Sequence, residues 1–471
     1  MNKGMNAFVF LIAAIAGFGG FLFGFDSSVI ADVKDQVISQ LALTDWQWAQ
    51  VVSSSLLGCI LGIPISGLVA DKLSRRSLLK VVALGFILGS SLCALAPGFV
   101  SILLGRFIIG ICIGIASYIA PLFIAEIAPP HQRGTLVLIN GLTITFGQAI
   151  AYLIGYFLHD YSLMSWRYLF WIGSLPALVL FSGMYFVPHS PRWIMMKYGA
   201  DATLKTLKQI RPVGYNIQQE LTEISNNLVN PAPAYIQMFK KPIVFVLLLG
   251  VGLGLFQQFS GINALMYYGP VVFESFGFSP VKNAILATFF LGLVNFIFTV
   301  VTLFYVDKLG RRFLLISGTL IASISLYLVS LLSSNSLLVN KFWILGGLSF
   351  YVMGYCISLG SLFWVLISEI YPLSVRGLAM SIATVFQWGA NFVVSLLFLP
   401  IYQFSGQTVT FAMFATFCLL ACWFIYYFVP ETTSVSLEKL EDNLSSGKKI
   451  RDIGQPVSKN IKIAKFNLIM D

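Results

Sequence analysis

AFVFLIAAIAGFGGFLFGFDSSVIA, residues 7–31, decides how the rest of the chain is read. Its apolar part has the ~20 residues that cross a ~30 Å hydrocarbon core as a helix. Near the far end stands one carboxylate, Asp26, among Phe23, Phe25 and Ser27, and glycines at Gly17, Gly19, Gly20 and Gly24 let another helix come close or let this one bend. A charge so placed is expensive, so a role on a pathway or in coupling is the expectation. The plain alternative is a carboxylate that marks the aqueous end of the helix.

Composition widens the reading to the whole molecule. Of 471 residues, 58% are hydrophobic and 10% charged, where a soluble domain carries about a quarter charged; mean hydropathy is +0.85. The formal net charge of +10 sits mostly in short linkers between apolar runs, as membrane topology demands. No basic patch interleaved with aromatics suggests stacking on bases, so nucleic acid is not an expected partner. The six cysteines lie in apolar runs without a CxxC pair. His131, His159 and His189 lie near loops at no metal or triad spacing, and there is no Walker loop. Neither a metal, a cofactor, ATP driving nor an enzyme is expected. Residues 1–6 lead straight into the first span with no clear signal-peptide cleavage pattern.

Apolar runs recur at 7–31, 46–70, 78–97, 99–125, 136–158 and 167–187, then at 242–270, 281–306, 313–333, 341–370, 375–401 and 407–429. These make about twelve membrane spans and an all-α polytopic membrane protein. The domain plan is a first six-helix bundle over 1–187, a polar linker with short amphipathic helices over 188–241, a second bundle over 242–430 and a tail over 431–471. The loops DKLSRRSLLK (71–80), PPHQRG (129–134) and DKLGRR (307–312) are basic and the alternate loops, 32–45 among them, are poorer in Lys and Arg. Linker and both termini are therefore expected in the cytoplasm.

The two sets repeat each other. GLVADKLSRR (67–76) returns as TLFYVDKLGRR (302–312), EIAPPHQRG (126–134) as EIYPLSVRG (369–377), and PHSPR (188–192) and PETT (430–433) each close one set. Three pairs in matching order mean two homologous halves, which can enclose one central cavity that opens to either side. In the repeated loops Asp71 precedes Arg75 and Arg76, and Asp307 precedes Arg311 and Arg312. Glu126 with Arg133, and Glu369 with Arg376, set an acid at one helix end and a base at the next start. Such groups can pair at the cytoplasmic rim in one state and release in another, or simply set topology.

Inside the spans lie Gln148, Gln257, Gln258, Asn263, Asn295, Gln387 and Asn391, each costly if it faced lipid unpaired. Gln258 and Asn263 share nearly one side if the helix breaks at Gly261. An amide offers donor and acceptor at one place, which suits a polyol, and Trp364, Trp388, Phe23, Tyr267 and Tyr268 offer flat faces for a sugar ring. Helix–helix glue is the plain alternative for any one of them.

RFIIGICIGIASYIAPLFIAEIAPPHQRG (106–134), QQFSGINALMYYGP (257–270), the paired loops, PHSPR and PETT resemble the sugar porter family of the major facilitator superfamily over about residues 7–435, and within it bacterial proton-coupled symporters of xylose, arabinose and galactose. The resemblance implies the major facilitator fold, with twelve transmembrane helices in two six-helix bundles. It implies a sugar site of Gln148, Gln257, Gln258, Asn263, Asn295 and Trp364, with Gln387 and Trp388 lining it, Phe23 beside the sugar, and Tyr267 and Tyr268 as an outer gate. It places Asp26 at the protonatable position and Arg106 as its electrostatic partner. GSLFW (360–364) departs from the family's pattern: Ser361 stands for the helix-bending proline, and bulky Phe363 adjoins Trp364 and points to a smaller site. The expected function is proton-coupled symport of a neutral aldopentose or aldohexose into the cell, by a monomer in the inner membrane of a bacterium, in contact with lipid. A passive uniporter and a transport-inactive sugar sensor are the alternatives; sensors tend to carry long cytoplasmic extensions.

Overall fold

Helices form where the apolar runs predict them, because a backbone in lipid must satisfy its own hydrogen bonds. The computed structural model describes residues 7–129, 133–212, 215–229, 241–334, 340–372 and 375–433, with isolated positions in the tail. In the first half these are α1 (Ala7–Asp32), α2 (Lys34–Leu41), α3 (Asp45–Leu73), α4 (Arg75–Ala94), α5 (Phe99–Ile127), α6 (Arg133–Leu158) and α7 (Ser165–Phe186), followed by α8 (Pro191–Ile210) and α9 (Ile217–Val229) of the linker. The second half has α10 (Lys241–Phe259), α11 (Ile262–Tyr267), α12 (Gly269–Ser275), α13 (Val281–Leu309), α14 (Arg311–Ser334), α15 (Lys341–Tyr355), α16 (Ser361–Ile370) and α17 (Arg376–Phe428). Eleven described stretches are long and apolar enough to span. Gly406 (φ 74°, ψ 175°) divides the last of them into 376–405 and 407–428, giving twelve spans.

Three boundaries differ from the expectation. The first span continues through Asp32, which is buried rather than part of a loop. The seventh span breaks not only at Gly261 (φ 89°), between α10 and α11, but again at Tyr268, between α11 and α12. The tenth, which lacks the bending proline, bends anyway: Cys356–Gly360 is a π-helical turn between α15 and α16, with Ser358 at φ −119°, ψ −110°. An extra residue in a turn loosens the ladder much as proline does, and the Ser358 hydroxyl donates to the Gly354 carbonyl at 2.6 Å.

Glycine sets how closely the first bundle packs. A Cβ on Gly110 of α5 would run into the backbone of Ser55 on α3, and one on Gly24 of α1 into the backbone of Ile144 on α6. The bare backbones therefore touch at both crossings. The linker docks on this bundle. Buried Arg211 forks onto Glu220 at 2.8 and 2.6 Å and donates to the carbonyl of Ile127, at the end of α5, at 2.6 Å.

Candidate functional site

The two lone charges of the first bundle meet. Arg106 of α5 forms an ion pair with Asp26 of α1, both at least 95% buried. The Arg106 guanidinium also donates to the Ser55 hydroxyl at 2.8 Å. Gly110 lies one turn along α5, and the close crossing there brings Ser55 within reach of Arg106. Serines abound in this sequence, and none singled out Ser55.

Beside the pair lies a small cavity lined by Phe23, Asp26, Ser55, Arg106, Tyr267 and Trp388, among others. Both bundles contribute, and Phe23 packs on Trp388 with ring centroids 5.1 Å apart. The free space there is about that of one water molecule, far less than the roughly 300–1,000 Å³ of ordinary small-molecule pockets.

The amides expected at the sugar site do not line this cavity; they bond to one another. Gln387 donates to Gln257 at 2.8 Å, Gln257 to the Leu359 carbonyl at 2.9 Å, and Asn263 to Gln258 at 2.7 Å across the break at Gly261. Asn295 donates to Gln148 at 3.1 Å from the other bundle and accepts from the Cys356 thiol at 3.0 Å. These contacts occupy several of the donors and acceptors that a polyol could take up, while the buried Gln387 Oε1 is left without a partner.

Two of the expected aromatic members also stand apart. Trp364 is 37% exposed and packs on Phe363, away from the cavity. Phe363 instead fills the slot beside Gly254 and Gln387, and the next residue of a helix points about 100° away. Tyr268 is buried within the second bundle, donating to the Ser395 carbonyl and stacked on Phe398. Tyr267 lines the cavity and accepts from Asn391 at 3.2 Å.

At the linker face each repeat-motif acid pairs with an arginine of the preceding repeated loop. Glu126 binds Arg75 at 3.2 Å and accepts from Ser190 of PHSPR. Glu369 binds Arg311 at 3.2 Å and accepts from Thr432 of PETT. Each acid thus reaches the arginine of the other motif, because helix ends distant in sequence meet at this face. Arg76 donates to the carbonyls of Met184 and Tyr185, Arg312 to that of Tyr426, and Arg376 to that of Tyr371. The side chains of Asp71, Asp307 and Arg133 lie outside the described residues. Glu431 also accepts from the backbone N–H groups of Arg311 and Arg312. Burial opposes its charge, but hydrogen bonds from Thr433 and these N–H groups outweigh that and hold the carboxyl below its usual range.

The bundles are bonded at mid-depth and in the half away from the linker. Besides Asn295–Gln148, Tyr152 donates to the Met266 carbonyl at 2.6 Å, Gln403 to Asp45 at 3.0 Å, and Lys282 to Asp160 at 2.7 Å. Residues 12–444 match the family described as "Sugar (and other) transporter".

The chain belongs to this family of transporters. The family includes relatives over nearly the whole chain. A galactose-proton symporter of Escherichia coli K12 is 33% identical, covering 96% of this chain and 97% of the relative. A D-xylose transporter of Levilactobacillus brevis is 33% identical, covering 94% and 97%. An inward open structure of the xylose transporter XylE from E. coli superposes with TM-score 0.80 at 32% identity, covering 92% of this chain and 99% of that one.

Proposed function

We propose that this transporter carries a neutral monosaccharide into the cell together with a proton, by rocking its two bundles about the central cavity. The observation that carries the reading is the Asp26–Arg106 pair set against a cavity that both bundles line. Among the described residues no other charged side chain lines that cavity, which suits an uncharged ligand. The names of the galactose-proton and xylose relatives support the same reading. The basic loops put the linker face and both termini in the cytoplasm, and the membrane is the inner membrane of a bacterium. One chain contains both bundles and so the whole pathway, which makes the monomer the working unit.

Each group has a role. From outside, a proton neutralises Asp26 and loosens its hold on Arg106, which stays with Ser55. Sugar hydroxyls take over the bonds that Gln148, Gln257, Gln258, Asn263, Asn295 and Gln387 make to one another. Phe23 and Trp388 cover the ring, and Tyr267 closes over it. On the inside the sugar leaves, Asp26 loses its proton and the ion pair re-forms. Sugar must alter which states interconvert, since a proton site alone would only leak.

Asp26→Asn keeps the shape and removes the titration. In reconstituted vesicles, normalised to inserted protein, proton-driven accumulation is expected to vanish while sugar binding and exchange between equal pools survive. Full concentrative uptake by the variant would remove Asp26 from the coupling role and leave a uniporter or another carboxylate.

A further inference from the structure

A second acid of α1 has no place in this cycle. Asp32 is 7% exposed, and neither carboxylate oxygen has a hydrogen-bond partner; fully buried Ser28, one turn earlier on the same face, lies beside Tyr152. Both face α6, where Gly155 comes so near that a Cβ there would collide with the carboxylate. Tyr152, one turn before Gly155, is the titratable group facing Asp32. Its hydroxyl reaches across to the Met266 carbonyl, and its ring packs on Gly292 of α13. Tyr152 thus stands between Asp32 and the second bundle.

Among the described residues no cation compensates the site. Arg106 of α5 is held by Asp26, Lys282 of α13 by Asp160, and Arg167 of α7 by the carbonyls of Ala94 and Ala96. Lys34 and Asp35 of α2, His159 beyond α6 and Glu274 of α12 make no described bond to Asp32, and Tyr267 of α11 is held by Asn391. Arg75, Arg76 and Lys80 of α4 lie toward the linker face. An ionised carboxylate buried without a partner is strongly disfavoured, whereas a neutral carboxylic acid is tolerable.

We propose that Asp32 is a second proton-binding site, open to the extracellular side, whose protonation permits the outer half of the transporter to close. The inference rests on the proposed function for its orientation and for alternating access. When the bundles part on the outer side, the Tyr152–Met266 bond breaks, water reaches Asp32 and its carboxyl releases a proton to that water. On closure the carboxyl takes a proton back from the same side. No net proton crosses at Asp32, so coupling stays with Asp26, while low external pH favours closure and high external pH holds the outer side open.

The test needs no sugar, so its outcome is separable from that of the coupling experiment. Spin labels are placed on Ser39→Cys and Phe404→Cys, both exposed on the outer side, in full-length protein carrying Asp26→Asn and Cys422→Ser. The other five cysteines are buried. In lipid nanodiscs, the ratio of short to long label distances is expected to fall as pH rises, by up to about tenfold per pH unit, the slope of one proton. Asp32→Asn, or Asp32→Ser should Asn impair folding, is expected to hold the short distance at every pH. A pH-independent ratio with Asp32 present, an unchanged pH dependence in both variants, or a ratio that follows sodium at fixed pH and fixed ionic strength would overturn the proposal.

Discussion

Arg106 is held by two partners that act at different times. The Asp26 carboxylate balances its charge and is the partner a proton can take away; the Ser55 hydroxyl cannot be titrated and keeps the guanidinium in place. Ser55→Ala is therefore expected to lower stability by roughly 1.5–3 kcal/mol, the range for a hydrogen bond to a charged group. It should also slow proton-driven uptake without abolishing it, as read by thermal unfolding in detergent and by vesicle uptake. Equal stability and full uptake would mean that Asp26 alone positions Arg106. Asp26 and Arg106 were legible in the sequence because a charge within a span is rare enough to demand a partner. Ser55 was not, since serines are cheap in membrane helices. Asp32 was missed for another reason: at the end of a hydropathy window, an acid reads as the start of a loop.

At the scale of elements, pattern located the spans and missed the bends. Hydropathy gives length, and length fixes a crossing helix, but Ser358 carries no mark of the π-helical turn it occupies. Gly261 was readable because a left-handed residue favours glycine. The crossing of α3 and α5 depends on Gly110 in a way that can be tested. Gly110→Val puts a branched side chain into the backbone of Ser55, and overpacking of this kind costs about 1–3 kcal/mol, occasionally more. A clear fall in unfolding temperature and weakened proton coupling are expected together, because the same crossing seats Ser55 against Arg106. A loss of stability with normal coupling in the surviving protein would separate the crossing from the charge site.

For the whole molecule, the repeats announced two halves, while the direction in which they lean was not encoded in any motif. That direction emerges from the contacts on the side away from the linker. Two of these are exposed, and one of the two is an ion pair: Lys282–Asp160, at 2.7 Å, with side chains 32% and 63% accessible. The hydrogen bond from Lys282 holds the Asp160 carboxyl below its usual range. The contact is thus present at neutral pH and lost only as pH falls through that lowered value. Raising ionic strength, which shortens the Debye length from ~30 Å at 0.01 M to ~3 Å at 1 M, is expected to shift the outer label distances modestly toward open. Lys282→Gln should remove that salt response, and an undiminished response would place its source elsewhere. The linker-face latches have a different consequence. Arg75–Glu126–Ser190 and Arg311–Glu369–Thr432 each close within one half, so a rocking motion need break neither. Each half then behaves as a stiff lever, and the work of a transport cycle is done at the seam between them.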